Sequence, residues 1–292
     1  MAKRIILDTD IGDDIDDAFA LALAISSPEL ELMGVTTVHG PVEKRARIAR
    51  KILNWAGRTD IPVIPGFRGC GAPEHEPNQA GWATGTGLQP PAQAAVDYIL
   101  QEVEEYAGEV TVVAIGALSN LSRCMVEEPD VAQDMAELVI MGGSVRKGYA
   151  GALEPVAEYN IACDPEAAAR VFNSGAKLTV VPLDATGTLM LPDKHLQAIR
   201  ASNGPLALAL KELMPLWQAG GQQRPVLHDP LTVALTFDRS LGRFEEMRLD
   251  VTGDGLTVAT EGEPNTSVCV EADGERLFGL VAGRIAAYEA RQ

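Results

Sequence analysis

No lysine or arginine occurs between Arg4 and Lys44, yet this stretch carries six aspartates within ten residues: Asp8, Asp10, Asp13, Asp14, Asp16 and Asp17. Basic residues are scarce throughout, with 24 Lys and Arg against 41 Asp and Glu, a formal net charge of -17 and a pI near 4.6. That balance excludes a nucleic-acid partner and an anionic membrane surface, since both reward basic patches. A cation or a neutral small molecule suits it better. Also missing is any apolar run long enough to span a bilayer, and the short run Ile5–Leu7 leads straight into aspartates instead of a signal-peptide cleavage site. A cytoplasmic enzyme is therefore expected. Cysteine is sparse: Cys70, Cys124, Cys163 and Cys269 lack the close pairing of zinc or dithiol sites, so reduced thiols without a cofactor role are expected.

What is present is enough for a large core. The 292 residues, 46% hydrophobic, read as one α/β domain over residues 1–292. Short runs rich in β-branched residues predict strands at Arg4–Leu7, Leu32–Val38, Pro62–Ile64, Val110–Ile115, Leu138–Met141 and Leu178–Pro182. Helical patterns lie between them, at Asp17–Ile25, Glu43–Gly57, Gln93–Tyr106, Asn120–Glu127 and Pro165–Asn173. Such alternation predicts a doubly wound, mainly parallel sheet flanked by helices, with ligands beyond the carboxyl ends of the strands. Near the C-terminus, Arg248–Val251 and Leu256–Ala259 joined by TGDG predict a β-hairpin, and Gly274–Ala290 a closing helix. In Glu43–Gly57, Ile48, Ile52 and Trp55 share one face, and the basic face opposite is expected to be solvated. Residues 66–91 are Gly/Pro-rich and read as a long functional loop.

The aspartates fall where the first strand turns into the first helix, with Gly12 permitting the turn. Helix capping and the helix dipole account for one or two of them, at roughly 0.3–1 kcal/mol each. The rest repel, Asp13 and Asp17 being four residues apart. A divalent cation relieves that repulsion, and calcium suits several protein oxygens better than magnesium does. An EF-hand loop is excluded, because Gly12 takes a ligand position and a strand precedes the cluster.

The run ILDTDIGDDIDDAFAL resembles the N-terminal signature of the inosine-uridine preferring nucleoside hydrolases, Asp-x-Asp-x-Gly-x-Asp-Asp, with two more residues after Gly12, so that Asp16-Asp17 match the paired aspartates. The resemblance continues in family order through GVTTVHG (34–40), IGALSN (115–120), VIMGGS (139–144), EPVAEYNIACDPEAA (154–168) and VLHDPLTVA (226–234). It implies a nucleoside hydrolase-like domain that cleaves the N-glycosidic bond of ribonucleosides and works as a homo-oligomer, dimer or tetramer. It implies further that Asp10, Asp17, Asp229 and the Ile115 carbonyl bind calcium, with Asp10 also the base for the attacking water. Asp16, Glu158 and Asn160 would hold ribose hydroxyls, and His228 would stand near the leaving base.

The chemistry agrees: an oxocarbenium-like transition state needs an activated water, acceptors for the sugar hydroxyls and help for the departing base. Glu158 and Asn160, two apart, would share one side of an extended segment. Asp229-Pro230 also reads as a helix start. His39, at a strand end, could approach the site, Trp82 could stack on the base, and MGGS (141–144) reads as a tight turn bringing backbone close. The chain departs from the family pattern at Pro41, Ala80 and Ala152, which removes possible sugar contacts and points to an altered 5′ end or an unusual base.

Two other readings stand beside this one. A calcium-binding protein that has lost catalysis would explain the missing contacts. A haloacid-dehalogenase-like phosphatase, with Asp8 as nucleophile, would leave Glu158, Asn160 and the HDP segment unexplained.

Overall fold

The computed structural model describes residues 2–69, 75–88 and 94–290. Cys70, parts of the Gly/Pro-rich stretch and the expected helix start at Gln93 lie outside the described residues. Nine strands, β1 (Lys3–Thr9), β2 (Leu30–Thr37), β3 (Val63–Pro65), β4 (Val110–Ala114), β5 (Glu137–Met141), β6 (Leu178–Val181), β7 (Gly242–Val251), β8 (Thr257–Thr260) and β9 (Thr266–Ala272), form one sheet in the order β3-β2-β1-β4-β5-β6-β9-β7-β8. From β3 to β9 all pairs are parallel. β7 runs antiparallel to both β9 and β8, and its pairing of Val251 with Thr257 closes the expected hairpin.

Among the described residues nine helices have eight or more residues: α1 (Asp16–Ser26), α2 (Val42–Trp55), α3 (Ala95–Glu105), α4 (Ser119–Glu127), α5 (Pro165–Phe172), α6 (Asp193–Ala201), α7 (Pro205–Gln218), α8 (His228–Leu235) and α9 (Gly274–Ala287). They cover both faces. Ile5 and Leu7 of β1 point into an apolar layer with α1, α2, α7, α8 and α9, while Ile6 points into a second layer with α3, α4 and α5. Alternation along the strand explains the split, because successive side chains leave opposite faces. α1 is apolar all round after its first two residues and is buried from Ala18 to Ile25. It therefore fixes the preceding turn rigidly against the sheet.

The order reverses between β1 and β4, a topological switch point where the strand ends diverge and open a crevice. Asp10 follows β1 and Ile115 follows β4, so both stand at its mouth.

The basic face of α2 is not solvated as expected. Arg45 and Arg50 are both buried; Arg50 donates to the carbonyls of Ile61 (2.9 Å) and Arg58 (3.0 Å). Guanidinium groups supply five donors in a fixed fork, which suits carbonyls left unpaired by turns.

Candidate active site

The turn between β1 and α1 is held from below. Gly12 adopts a φ of +132°, and a Cβ there would come within 2.8 Å of Pro77 Cβ and 2.9 Å of Ile48 Cδ1. Arg45, 1% exposed, donates to the main-chain carbonyls of Asp10, Ile11 (3.1 Å) and His39 (2.7 Å), and pairs with Asp13 Oδ2 at 2.9 Å. This is one answer to the missing cations: a guanidinium reaches the acidic turn from a helix that begins beyond residue 40. Gln79 Nε2 adds a bond to the Asp14 carbonyl at 2.7 Å.

Arg45 does not reach the innermost carboxylates. No side chain caps α1, whose N-cap is Ile15, so capping explains none of these aspartates. Asp14 Oδ1 accepts from the Ile15 N–H (2.7 Å), and Asp17 Oδ1 from the Thr9 hydroxyl (2.5 Å). Asp229, in the first turn of α8, joins Asp16 and Asp17, and ligand atoms of the three lie within 4.8 Å of one another. All three are buried, and burial, followed by repulsion from neighbouring carboxylates (Asp14 and Asp10 on Asp16, Asp10 and Asp16 on Asp17, Asp16 and Asp17 on Asp229), holds each well above the ordinary carboxylate range. None of the three is ion-paired to a lysine or arginine among the described residues. Three buried oxygen donors in mutual reach, each favouring the neutral form on its own, fit a divalent cation.

A pocket of about 440 Å³ opens over this cluster, lined also by Asp10, Asp13, Asp14, Ile115, Glu158, Asn160 and His228. Burial, offset by Arg45, pushes Asp10 up to about 6. Glu158 does not lie on an extended segment: it caps a short helical turn, Tyr159–Ala162, accepting from the N–H groups of Asn160 (3.0 Å) and Ile161 (3.3 Å). Gly143, in the turn after β5, adds its N–H at 2.9 Å, so the MGGS segment does bring backbone close. Burial outweighs these bonds and raises Glu158 to about 7. Asn160 Nδ2 donates to the carbonyls of Ile115 and Met141, each at 3.2 Å. The Ile115 carbonyl thus already accepts one bond.

His228 opens α8, with Leu227 at the N-cap and Pro230 inside the first turn. Its Nδ1 is 2.8 Å from Thr186 Oγ1, and burial depresses its pKa to about 4. His39 is buried beneath the wall, its Nε2 3.5 Å from both the Tyr159 hydroxyl and Cys163 Sγ. Trp82 is not brought to the pocket: it packs edge to face on Trp55 at 5.5 Å, under Lys51, with Nε1 bonded to Glu212. The aromatic side chains that do line the pocket are Tyr149, Tyr159 and Trp217. Nothing in their sequence surroundings marks Tyr149 or Trp217, whereas Tyr159 sits inside the quoted AEYN segment.

The sheet order and this acidic crevice define a nucleoside hydrolase-like α/β protein. A plant nucleoside hydrolase superposes with a TM-score of 0.89 at 30% identity, over 98% of this chain and 100% of that one. A purine-preferring ribonucleoside hydrolase from Gardnerella vaginalis gives 0.84 at 26% identity, over 98% and 99%. The sequence pattern of the inosine-uridine preferring nucleoside hydrolases matches residues 5–279. The pyrimidine-specific ribonucleoside hydrolase of Enterobacter sp. (strain 638) is 33% identical over 322 aligned positions, covering 100% of both chains, and uridine nucleosidase 1 of Arabidopsis thaliana is 32% identical over 277, covering 88% of this chain and 80% of that one. The chain belongs to the inosine-uridine preferring nucleoside hydrolase family, a family of N-ribosyl hydrolases.

Proposed function

We propose that this protein hydrolyses the N-glycosidic bond of ribonucleosides, giving ribose and free base, and that it depends on calcium. The observation that carries the reading is the convergence of Asp16, Asp17 and Asp229, buried and within 4.8 Å of one another, in a pocket shared with Asp10, Glu158, Asn160 and His228. Carboxylate oxygens are hard donors, and calcium accepts several of them together. Asp17 and Asp229 are assigned to the ion together with Asp10 and the Ile115 carbonyl, and Asp16 to the substrate. Once held there, the ion lowers the pKa of a water and anchors neighbouring hydroxyls.

The remaining steps belong to the chain. Asp10, on the pocket wall, is the base that takes the proton of the attacking water. Asp16 and Glu158 accept hydrogen bonds from ribose hydroxyls. Asn160, oriented by Nδ2 on two main-chain carbonyls, offers Oδ1 as a further acceptor. His228, neutral at pH 7 and fixed by Thr186, is a neutral hydrogen-bonding partner for the departing base. A dimer or tetramer of such chains in the cytoplasm completes the reading, and light scattering on the purified protein checks the assembly.

The test is release of reducing sugar from purine and pyrimidine ribosides in phosphate-free buffer. Calcium-dependent release, abolished by a chelator and restored by the ion, is expected. Release of equal size after complete removal of divalent ions sinks the calcium assignment, and no release from any riboside sinks the hydrolase reading.

A further inference from the structure

We propose that Tyr149 sets substrate specificity at this site by donating its phenolic proton to the 5′ oxygen of the ribose, so that the pocket takes ribosides with a free 5′-hydroxyl. The proposal rests on the hydrolase reading above and deepens it by one residue and one sugar position.

Tyr149 lines the pocket from a tight turn. The Gly148 N–H donates to the Ala152 carbonyl at 2.8 Å, and the Ala152 N–H donates to the Tyr149 carbonyl at 3.1 Å. Ala150 between them has a φ of +55°, a conformation that few side chains adopt. The turn is supported by the short helix Leu183–Thr186 and the residue after it. Asp184 accepts from the N–H groups of Val145 and Arg146, each at 2.8 Å, and a Cβ at Gly187 would come within 3.1 Å of the Gly148 carbonyl oxygen. Thr186 of the same helix holds His228. One support therefore fixes Tyr149 and His228 relative to each other, with ring centroids 6.5 Å apart and planes at 83°.

The phenol oxygen reaches the segment assigned to the sugar. It accepts from the Tyr159 N–H at 3.2 Å, one residue from Glu158. That bond occupies a lone pair and leaves the phenolic proton without an acceptor among the described residues. A phenol keeps this proton at neutral pH and is a ready donor.

The stereochemistry of a β-riboside says what lies between the base partner and the sugar holder. Base and C5′ project from one face of the ribose ring, and the 2′- and 3′-hydroxyls from the other. With the diol against Asp16 and the carboxylate cluster, base and C5′ share the side of His228 and Tyr149. The attacking water enters opposite the base, so the phenol stays clear of it. Ala152, where the sequence lacks a polar side chain for the sugar, is the partner of Tyr149 across the turn. The tyrosine thus supplies from a neighbouring position the contact that Ala152 cannot make.

The test compares uridine and inosine with their 5′-deoxy analogues, in calcium, for the wild type and Tyr149→Phe. The readout is the ratio of kcat/KM for each riboside to that of its 5′-deoxy analogue. This ratio is expected to exceed unity in the wild type and to fall about fivefold or more in the variant, because a site built to bond a hydroxyl discriminates against the analogue lacking it. The ratio of uridine to 2′-deoxyuridine should change by less than about twofold. A purely structural tyrosine would lower activity on all these compounds alike. An unchanged 5′ ratio, or an equal change in the 2′ ratio, overturns this proposal and leaves the hydrolase reading standing. If no riboside is cleaved, the hydrolase reading falls, and calorimetry with methyl β-ribofuranoside and its 5-deoxy analogue decides: equal binding of the two by the wild type overturns the assignment of Tyr149, and tighter binding of the hydroxylated compound, lost in Tyr149→Phe, upholds it.

Discussion

The main-chain N–H of Asp229 donates to Asp16 Oδ2 at 3.3 Å across 213 residues of sequence. This contact joins the first turn of α8 to the first turn of α1, which are packed side by side. It turns Asp16 and draws a third carboxylate against two others. Such crowding is stable only with protons or a cation between the oxygens.

Asp229→Asn removes one negative charge and leaves a single, weaker amide oxygen as donor. Cation-dependent thermal stabilisation is expected to disappear, with binding weakened more than about a hundredfold, beyond the usual effect of an outer-shell change. The chelated variant should be at least as stable as the chelated wild type. Differential scanning calorimetry with and without calcium reads both, and a variant that keeps the full calcium shift would refute the ligand assignment.

The cation-free protein should lose stability as pH rises. Asp8 and Glu158 are held near 7 and Asp10 near 6, above their ordinary values of 3.8, 4.5 and 3.8. Between the ordinary and raised values the folded state binds more protons than the unfolded one, so their contribution is full at acid pH and lost as pH climbs to about 7. Asp16, Asp17 and Asp229, also raised well above the ordinary range, act in the same direction. Calcium favours the ionised forms, so its stabilising effect should grow with pH. Melting temperatures in chelator and in calcium across this range should diverge as pH rises; parallel curves would contradict the linkage.

Arg45→Met should leave the carbonyls of Asp10, Ile11 and His39 without their donor, at about 1–3 kcal/mol for each buried group that finds no water. A loss of roughly 3 kcal/mol in urea unfolding is expected. Arg45→Lys should recover only a small part, since an ammonium cannot fork to carbonyls in different directions. Full recovery by lysine would mean that charge alone matters here.

Trp82 and Trp217 should separate in kinetics. Trp82→Ala breaks packing on Trp55 and Lys51 and is expected to lower stability without a change in KM beyond about twofold. Trp217→Ala should raise KM roughly tenfold, as loss of an aromatic wall worth about 1–1.5 kcal/mol implies. Steady-state kinetics on one riboside, together with melting temperatures, distinguishes the two.

The parallel half of the sheet was legible because buried strands read as β-branched runs between helical segments: β1 to β6 all fall within a few residues of their expected spans. The β7–β8 hairpin followed from TGDG. β9 was missed because the Thr, Ser and Glu of TSVCVEA interrupt its apolar run. Helices α6 and α7 were not delimited either: α7 is Leu- and Ala-rich on most sides and packs against α2, α6 and α9. Within the site, acidic residues could be picked out by crowding alone, since repulsion is a sequence property. Arg45 could not, because a helical pattern separates faces without naming what covers them. Trp82 and Trp217 look equally suited to a pocket; only the path of the chain separates them.

The meeting of α1 with α8 also sets the order of events on a growing chain. Residues 1–181 carry β1 to β6, and a truncation before Val226 would keep every expected ribose contact while lacking Asp229. A cation held by Asp16, Asp17 and Asp229 together would therefore report completion: the third carboxylate arrives only after most of the polypeptide has been made and its later portion has folded back onto the first helix.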